Sequence, residues 1–431
     1  MEFIRKPINK FIQLETSGSI VLFAATLAAL ILANSGLSDS FLNFWQNKIT
    51  ISLPGFHISK PLLKWINDGL MAIFFFLIGL ELKREIISGE LNNIRSASLP
   101  FFAAVGGMIA PAVLFIILNR GNAGTEGWGI PMAADIAFTL GILKLLGDRV
   151  PSGLKIFLMA FAIIDDLGAI IVIALFYSSN IIWTNIVIGL SIVFVLFLLS
   201  KFNYYSKYLF VFAGTIVWIL FLKSGIHSTI AGVLVALTIP LKRKTNSLLF
   251  YEKGKSILNS FVKECDTQTD KTVLTKKQLE AIDELEDLTE RTAPPLQYHE
   301  HRLHGWVSYL IMPLFALANA GVVFNFSEGI NLTLSMNIAI SLIVGNFIGI
   351  FSFSYLSIKL RLAKLPENVS MKQLAAMAVL GGLGFTMSLF INSLAFTDTT
   401  LIVSAKTGIL AGSLIAGTLG YLALKFTLQK K

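Results

Sequence analysis

The sequence predicts an all-α polytopic membrane protein with twelve transmembrane helices, and two observations support this fold class. Its 431 residues are 55% hydrophobic and 14% charged, whereas about 25% of the residues of a soluble domain are charged. Apolar segments close to the length that crosses a bilayer as a helix, roughly 20 residues, recur along the chain. They lie near residues 14–34, 62–82, 97–118, 129–146, 155–177, 181–200, 207–222, 226–241, 305–325, 334–358, 371–395 and 405–426.

Lys and Arg side chains are concentrated in alternate loops between these segments, and this asymmetry predicts the orientation. If the N-terminus lies inside, the short inner segments carry 18 Lys and Arg residues and the outer segments carry 6. Both termini are therefore expected to be cytoplasmic. The formal net charge of +9 reflects these inner loops and does not indicate a nucleic-acid partner. The single cysteine, Cys265, excludes an internal disulfide and a cysteine-based metal site.

A polar break at residues 242–304 divides the chain. It separates spans 1–8 (residues 1–241) from spans 9–12 (residues 305–431), and it forms a cytoplasmic loop with a charge-rich insertion. Within the loop, residues 275–289 carry apolar side chains at helical spacing, at Leu279, Ile282, Leu285 and Leu288. This pattern is typical of a short amphipathic helix, and equally of a solvated linker with marginal helicity.

Two adjacent carboxylates, Asp165 and Asp166, lie near the middle of the fifth span. A charged side chain at that depth costs about 2.5–3.5 kcal/mol on insertion scales, so intramembrane acids usually mark an ion or proton pathway. The alternative is a buried pair that serves packing alone. Two apolar residues would pack as well without the desolvation cost, and the pathway interpretation is therefore favoured.

Two spans are predicted to be interrupted. The fourth contains Pro131 and Asp135, and the eleventh contains the glycine-rich stretch 381–387. Non-helical backbone at membrane depth is tolerated only where it is buried in protein or lines a cavity. The two spans are seven apart and enter from opposite sides, which is typical of inverted-topology repeats whose interrupted helices cross at the midplane. Close helix packing alone would account for Gly381 and Gly382, but not for Pro131 and Asp135.

The motifs together resemble those of the NhaA family of bacterial sodium/proton antiporters. The resemblance covers nearly the whole chain except residues 245–297, where members of that family are shorter. The matching stretches are Phe75–Glu85, Ile130–Gly141, Ala162–Gly168, Lys223–His227, Pro313–Gly321 and Gly384–Ser388.

This resemblance implies a pH-regulated secondary transporter that exchanges Na⁺ or Li⁺ for H⁺ by alternating access and serves pH homeostasis. It also implies a multi-pass protein of the bacterial plasma (inner) membrane that contacts membrane lipid, forms a homodimer and needs no cofactor. Asp165 and Asp166 match the ion-binding and proton-carrying pair, with Asp166 as the direct sodium ligand. Chemistry agrees, because hard cations prefer oxygen ligands and a carboxylate can hold either Na⁺ or H⁺.

Other family positions fall into two groups. Asp135 matches the acid that compensates the helix ends at the crossing, where Asn346 and Thr386 are expected to support it. The positions linked to pH regulation are Glu81, Arg84, Glu85, His227, Glu300, His301 and His304. All of these except His227 lie at predicted span ends, where a solvated surface charge is the ordinary alternative. For His227, which lies at a span start, the alternative is a hydrogen-bonded packing residue.

The chain departs from the family pattern at two positions. Asn346 stands where the family usually has a lysine facing the Asp pair, and Ala134 replaces a threonine. Without the lysine, two ionised carboxylates plus Na⁺ would carry −1 in a low-dielectric site, which is costly. We therefore expect Asp165 to keep its proton, with the Asn346 amide accepting a hydrogen bond from it, so that exchange is one-for-one and electroneutral. The alternative is that both acids release protons.

Three rival functions remain at this stage. An intramembrane aspartyl protease needs two Asp residues on different helices, whereas Asp165 and Asp166 are adjacent on one helix, so an enzyme is not expected. A passive cation channel would use a backbone-lined filter or rings of charge. A proton- or sodium-coupled transporter of another small solute is the main alternative, although no further set of cavity residues supports it.

Overall fold

The computed structural model of the protein describes residues 17–53, 56–178, 181–202, 204–241, 247–263, 274–323 and 330–428. The ends of the chain lie outside the described residues. They carry several of the charges on which the prediction of cytoplasmic termini rests. Parts of the predicted cytoplasmic loop, at 242–246 and 264–273, also lie outside them.

The first part of the chain is almost entirely helical. A turn of helix (Leu62–Trp65) and a π-helical turn (Ile66–Leu70) lead into the third helix, and a 3₁₀ helix (Thr125–Met132) precedes the fifth. The helices are α1 (Ser17–Ala33), α2 (Ser38–Gln46), α3 (Met71–Ser88), α4 (Ile94–Leu118), α5 (Ile136–Leu145), α6 (Ser152–Phe176), α7 (Trp183–Lys201), α8 (Lys207–Leu222) and α9 (Thr229–Thr238).

The second part begins with two helices in the predicted cytoplasmic loop. Two further π-helical turns, Val307–Ile311 and Ser341–Gly345, join consecutive helices. The helices are α10 (Ser247–Lys263), α11 (Lys276–Thr292), α12 (Pro295–Trp306), α13 (Met312–Asn319), α14 (Leu332–Ile340), α15 (Asn346–Lys359), α16 (Met371–Leu380), α17 (Phe385–Ala395) and α18 (Thr399–Thr427).

Each predicted apolar segment coincides with a helix or a pair of helices, as expected for an all-α membrane protein. Among the described residues, six helical segments are long and apolar enough to cross a membrane. The number rises to eight if two bent pairs each count as one span. One of these pairs is α16 and α17, whose axes differ by 42°.

Close helix contacts hold the bundle together. Helices α4 and α15 approach through glycines, because a Cβ atom on Gly106 or Gly349 would collide with the carbonyl oxygen of the other. Gly232 of α9 packs in the same way against the backbone of α3 at Ala72. Small residues at these positions allow the backbones to approach closely, as in other membrane helix pairs.

The predicted cytoplasmic loop contains a helix where the sequence allowed either a helix or a linker. Helix α11 begins with a capping box, in which Thr275 and Gln278 satisfy each other's backbone N–H groups. Ala281 and Leu288 of α11 are buried against Ile257 of α10. The amphipathic helix is therefore confirmed, and its apolar face packs on a neighbouring helix that the sequence analysis did not predict.

A β-hairpin on the predicted outer side was also missed. Strands β1 (Lys48–Leu53) and β2 (Phe56–Pro61) pair antiparallel, with Ile51 opposite Ile58. Residues 48–52 alternate polar and apolar side chains, which is the period of a strand. The sequence analysis used this segment only for its charges.

Candidate functional site

The helix of the fourth predicted span is interrupted once, near its centre. The 3₁₀ helix ends at Met132, Ala133 and Asp135 are extended, and α5 begins at Ile136. Asp135 is the N-cap of α5, where its side chain accepts a hydrogen bond from the Phe138 N–H at 3.1 Å. Polar caps of this kind satisfy the unpaired N–H groups of a first helical turn.

The second break lies in the eleventh predicted span, and its residues contact those of the first break. Helix α16 ends at Leu380 and α17 begins at Phe385. The Asp135 N–H donates to the Leu383 carbonyl at 2.6 Å. The Asp135 carboxylate accepts from the Thr386 N–H at 2.8 Å and also from the Thr386 hydroxyl. One carboxylate therefore caps two helices, and its charge faces the positive ends of both helix dipoles.

Three further side chains complete this crossing. Ser388 donates to the Ile130 carbonyl at 2.7 Å, and the Asn346 amide nitrogen donates to the Pro131 carbonyl at 2.8 Å. Ser413 accepts from the N–H that begins α17, at 3.1 Å. Carbonyl groups that lose their helical partners at the break are thus bonded by side chains from α15 and α17.

The Asp pair lies in the middle of α6, and both side chains are buried. Asp165 Oδ2 accepts from the Ala134 N–H at 2.9 Å, so the first break contacts the pair directly. Asp165 Oδ1 and Asp166 Oδ2 are buried without a hydrogen-bond partner among the described residues. An unpaired buried carboxylate is costly, and a bound proton or cation offsets that cost.

Asn346 takes part in this arrangement in a specific way. Its amide nitrogen donates to Pro131 O at 2.8 Å and to Leu342 O at 3.1 Å. An amide has two N–H donors, so both are committed to carbonyl groups. The amide oxygen is therefore the one side-chain group of Asn346 that could accept a further hydrogen bond.

Most of the predicted regulatory residues lie together at the C-terminal end of α3. Arg84 pairs with Glu85 at 2.9 Å and with Glu300 of α12 at 3.4 Å. Burial raises the pKa of Glu300 and Glu85 adds to the effect, whereas Arg84 opposes it. Glu81 also interacts electrostatically with Glu300. This group of four charges is named the entrance cluster.

His301 and His304 of α12 lie beside the entrance cluster. His301 interacts electrostatically with Glu300. Burial lowers the pKa of His304, and the positive charges of Lys144 and His301 lower it further. The structure thus brings together six of the seven positions predicted for pH regulation.

His227 is the exception. It precedes α9, which runs beside α3 with Ser228 contacting the Asp68 carbonyl at 3.3 Å. At the far end, Lys83 donates to the Leu237 carbonyl at 2.7 Å. Asp68 and Glu81 are thirteen residues apart along a helical segment, or about 20 Å at 1.5 Å per residue. His227 therefore lies at the opposite end of α3 from the entrance cluster.

Sequence reasoning missed Ser388, Ser413 and the backbone of Ala134 as parts of the site. Ser388 directly follows the glycine-rich stretch 381–387, and this position in the sequence could have indicated that it belongs to the site. Ser413 gave none, because its contact with Phe385 depends on how α18 packs against α17. Among the described residues, no group of three or more His, Cys, Asp or Glu side chains could hold a metal ion.

Comparison with known proteins gives consistent matches across the chain. A family model described as Na+/H+ antiporter 1 matches residues 9–424. The chain is 45% identical to the Na(+)/H(+) antiporter NhaA of Oleidesulfovibrio alaskensis, over 98% of this chain and 94% of that protein. It is 44% identical to the Na(+)/H(+) antiporter NhaA of Sulfurimonas denitrificans, over 99% of this chain and 96% of that protein. It is 40% identical to that of Bacteroides fragilis, over 99% of both.

Proposed function

The chain belongs to the Na⁺/H⁺ antiporter 1 family and exchanges Na⁺ for H⁺ across a membrane, and on this premise we propose that Asp165 and Asp166 bind the exchanged ions. The observation that carries the proposal is the pair of buried carboxylate oxygens, one on each Asp, that have no hydrogen-bond partner in the described part of the chain. The protein is a transporter and not an enzyme.

Competition between ions at this pair accounts for the exchange. Na⁺ and Li⁺ are hard cations and favour carboxylate oxygens. A protonated carboxyl has lost its charge and much of its affinity for a cation, so Na⁺ and H⁺ exclude one another at Asp166. If the loaded site opens to one face at a time, each Na⁺ that crosses in one direction requires H⁺ to cross in the other.

The crossing holds the site in place, and we infer that it is also the element that moves relative to α6 during exchange. Asp135 stabilises the N-termini of α5 and α17 together, and Thr386 and Asn346 fix the geometry around it. Ala134 links the break to Asp165. A rigid-body movement of the crossing against α6 would therefore alter the surroundings of the Asp pair and its access to each face.

The topology that fits this mechanism has twelve spans in two inverted repeats, with the interrupted fourth and eleventh spans crossing at the bilayer midplane. Both termini are cytoplasmic, residues 242–304 form a cytoplasmic loop between spans 8 and 9, and the membrane is the bacterial inner membrane. The basic inner loops and the contact of Asp135 with Thr386 support this arrangement. A homodimer in contact with membrane lipid is the expected assembly.

The entrance cluster and its histidines regulate exchange by pH. Arg84 bridges α3 and α12 through Glu300, so a change in the charge of Glu300 alters the force between these helices. His301 and His304 extend the same surface. His227 lies about 20 Å away by helix geometry and is proposed to act separately, at the outer face.

Substitution of Asp166 tests the assignment directly. Asp166→Asn keeps the shape of the side chain and removes the titratable charge, so exchange should be abolished. Thermal stability should be unchanged or higher, because a buried charge is removed. The measurement is Na⁺-driven proton movement in proteoliposomes containing the purified protein.

The matched control is Asp398→Asn. Asp398 is the N-cap of α18, lies outside the crossing, and asparagine caps helices about as well as aspartate. This control should exchange at the wild-type rate. Normal exchange by Asp166→Asn would refute the assignment.

A further inference from the structure

A long groove lies beside the crossing and has no role in the exchange described above. It has a volume of about 850 Å³ and runs between α1 and α18, with α5 and the crossing as its floor. Its walls include Ile20 and Phe23 of α1 and Leu414 of α18, and its floor includes Phe138 and Phe385.

The groove opens towards the surface that the membrane covers. Three of its lining side chains are also among the exposed apolar residues, with Phe23 50%, Leu27 43% and Leu414 68% exposed. Both α18 and the segment containing α5 are long and apolar enough to span a membrane. In a bilayer, acyl chains therefore surround this opening, and an apolar occupant from the membrane is favoured over water.

The dimensions and charges fit one lipid of the cytoplasmic leaflet. Along α18 the lining residues run from Thr407 to Tyr421, about 21 Å at 1.5 Å per residue. The part from Ser413, at the crossing, to Tyr421 covers about 12 Å of this length. One leaflet contributes about half of the roughly 30 Å hydrocarbon thickness. At that end, Lys425 lies over the Tyr421 ring at 5.9 Å, and Lys144 precedes the lining residue Leu145. Basic side chains between helices on the cytoplasmic side bind anionic head groups.

We propose that an acyl chain of an anionic phospholipid occupies this groove, with its head group at Lys144 and Lys425. The chain packs on Phe138 and Phe385, whose rings meet edge to face at 4.9 Å. The Phe138 N–H donates to Asp135, and the Phe385 N–H donates to Ser413. The lipid therefore braces the first turns of both helices at the crossing from the membrane side.

Lipid retained by the purified full-length protein, measured by native mass spectrometry, tests this proposal. Ala411 lines the groove, so Ala411→Trp places an indole ring inside it and obstructs an acyl chain. The control is Leu419→Trp, which adds the same side chain to α18 at a position 49% exposed and outside the groove lining. Wild type and control should retain one anionic phospholipid per chain, and Ala411→Trp should lose it while its thermal unfolding remains cooperative.

Head-group selectivity and the identity of the occupant complete the test. Lys144→Gln combined with Lys425→Gln should abolish the preference for phosphatidylglycerol over phosphatidylethanolamine. Equal retention by Ala411→Trp and Leu419→Trp would overturn the proposal, as would a lipid-free wild type. In a Cys265→Ser background, efficient disulfide formation between Leu414→Cys and Phe11→Cys would overturn it in favour of the chain's own N-terminal segment. None of these measurements depends on exchange activity.

Discussion

The crossing and the entrance cluster both contain charged side chains, yet they differ in how those charges are satisfied. At the crossing, Asp135 is buried and accepts hydrogen bonds from two residues, Thr386 and Phe138. In the entrance cluster, Arg84 is partly exposed and shared between Glu85 and Glu300. Water can replace a lost partner at the second place and not at the first. Substitutions should therefore act in an all-or-none way at the crossing and in a graded way at the entrance.

The largest effect is expected from Asp135→Ala. This change removes the acceptor of the buried Thr386 N–H and of the partly buried Phe138 N–H. Hydrogen bonds to a charged group contribute about 1.5–3 kcal/mol each. We expect complete loss of exchange and a strongly lowered thermal unfolding temperature in detergent.

Asp398→Ala is the matched control, because it removes an exposed helix cap that accepts from Thr400 and Leu401. It should cost about 1 kcal/mol and leave exchange intact. If both variants lose the same stability, burial of the cap at the crossing has no special importance.

Replacing two glycines of the eleventh predicted span by alanine compares a position that touches the other break with one that does not. A Cβ atom on Gly384 would lie 2.7 Å from the Ala133 carbonyl oxygen, which belongs to the other break. On Gly381 it would meet the flexible tip of Ile350 instead. Gly384→Ala should therefore destabilise the protein by about 1–3 kcal/mol and reduce exchange, whereas Gly381→Ala should have the smaller effect on both. If Gly384→Ala and Gly381→Ala exchange at similar rates, close contact between the breaks of the fourth and eleventh predicted spans is not needed for exchange.

A smaller and graded effect is expected from Glu300→Gln. The folded-state pKa of Glu300 is raised by burial. Glu300 therefore contributes stability at acid pH, which is lost as the pH rises through its folded-state pKa. The variant lacks this titration, so its unfolding temperature relative to wild type should increase from acid to neutral pH. The pH of half-maximal exchange should also shift, with unchanged selectivity between Na⁺ and Li⁺.

Glu252→Gln provides the control, since Glu252 is exposed on α10 and lies outside the cluster. Its pH profile should match that of wild type. If the pH dependence of exchange by Glu300→Gln is the same as that of wild type, the entrance cluster is only a solvated surface.

Local sequence patterns predicted the parts of the site that local chemistry determines. The Asp pair, the proline in the fourth span and the glycines in the eleventh were visible because each is unusual inside an apolar segment. The partners of these residues were not visible. Ser388 reaches a carbonyl group 258 residues away, and the dual role of Asp135 depends on Thr386, 251 residues away. Such contacts arise from packing between distant helices, which periodicity in one segment does not encode.

The last prediction concerns membrane voltage, to which the exchange rate should not respond. Asn346 provides neutral N–H donors to Pro131 and Leu342 where a lysine would supply a positive charge. With both carboxylates ionised and one Na⁺ bound, the site would carry −1 in a low-dielectric interior. Asp165 is therefore expected to keep a proton, with Asp166 exchanging one Na⁺ for one H⁺, so that no net charge crosses the membrane per cycle.

Proteoliposomes with a potential imposed by valinomycin and a K⁺ gradient test this directly, and the expected rate is the same at either polarity. Asn346→Lys is the informative variant, because it restores the counter-charge, releases the proton from Asp165 and should make exchange voltage-dependent. It also removes the donor to Pro131, so its folding is checked by thermal unfolding. A voltage-dependent rate or a net current in the wild type would contradict one-for-one exchange. Both acids would then release protons, with the residual charge offset by water or by the helix ends at the crossing.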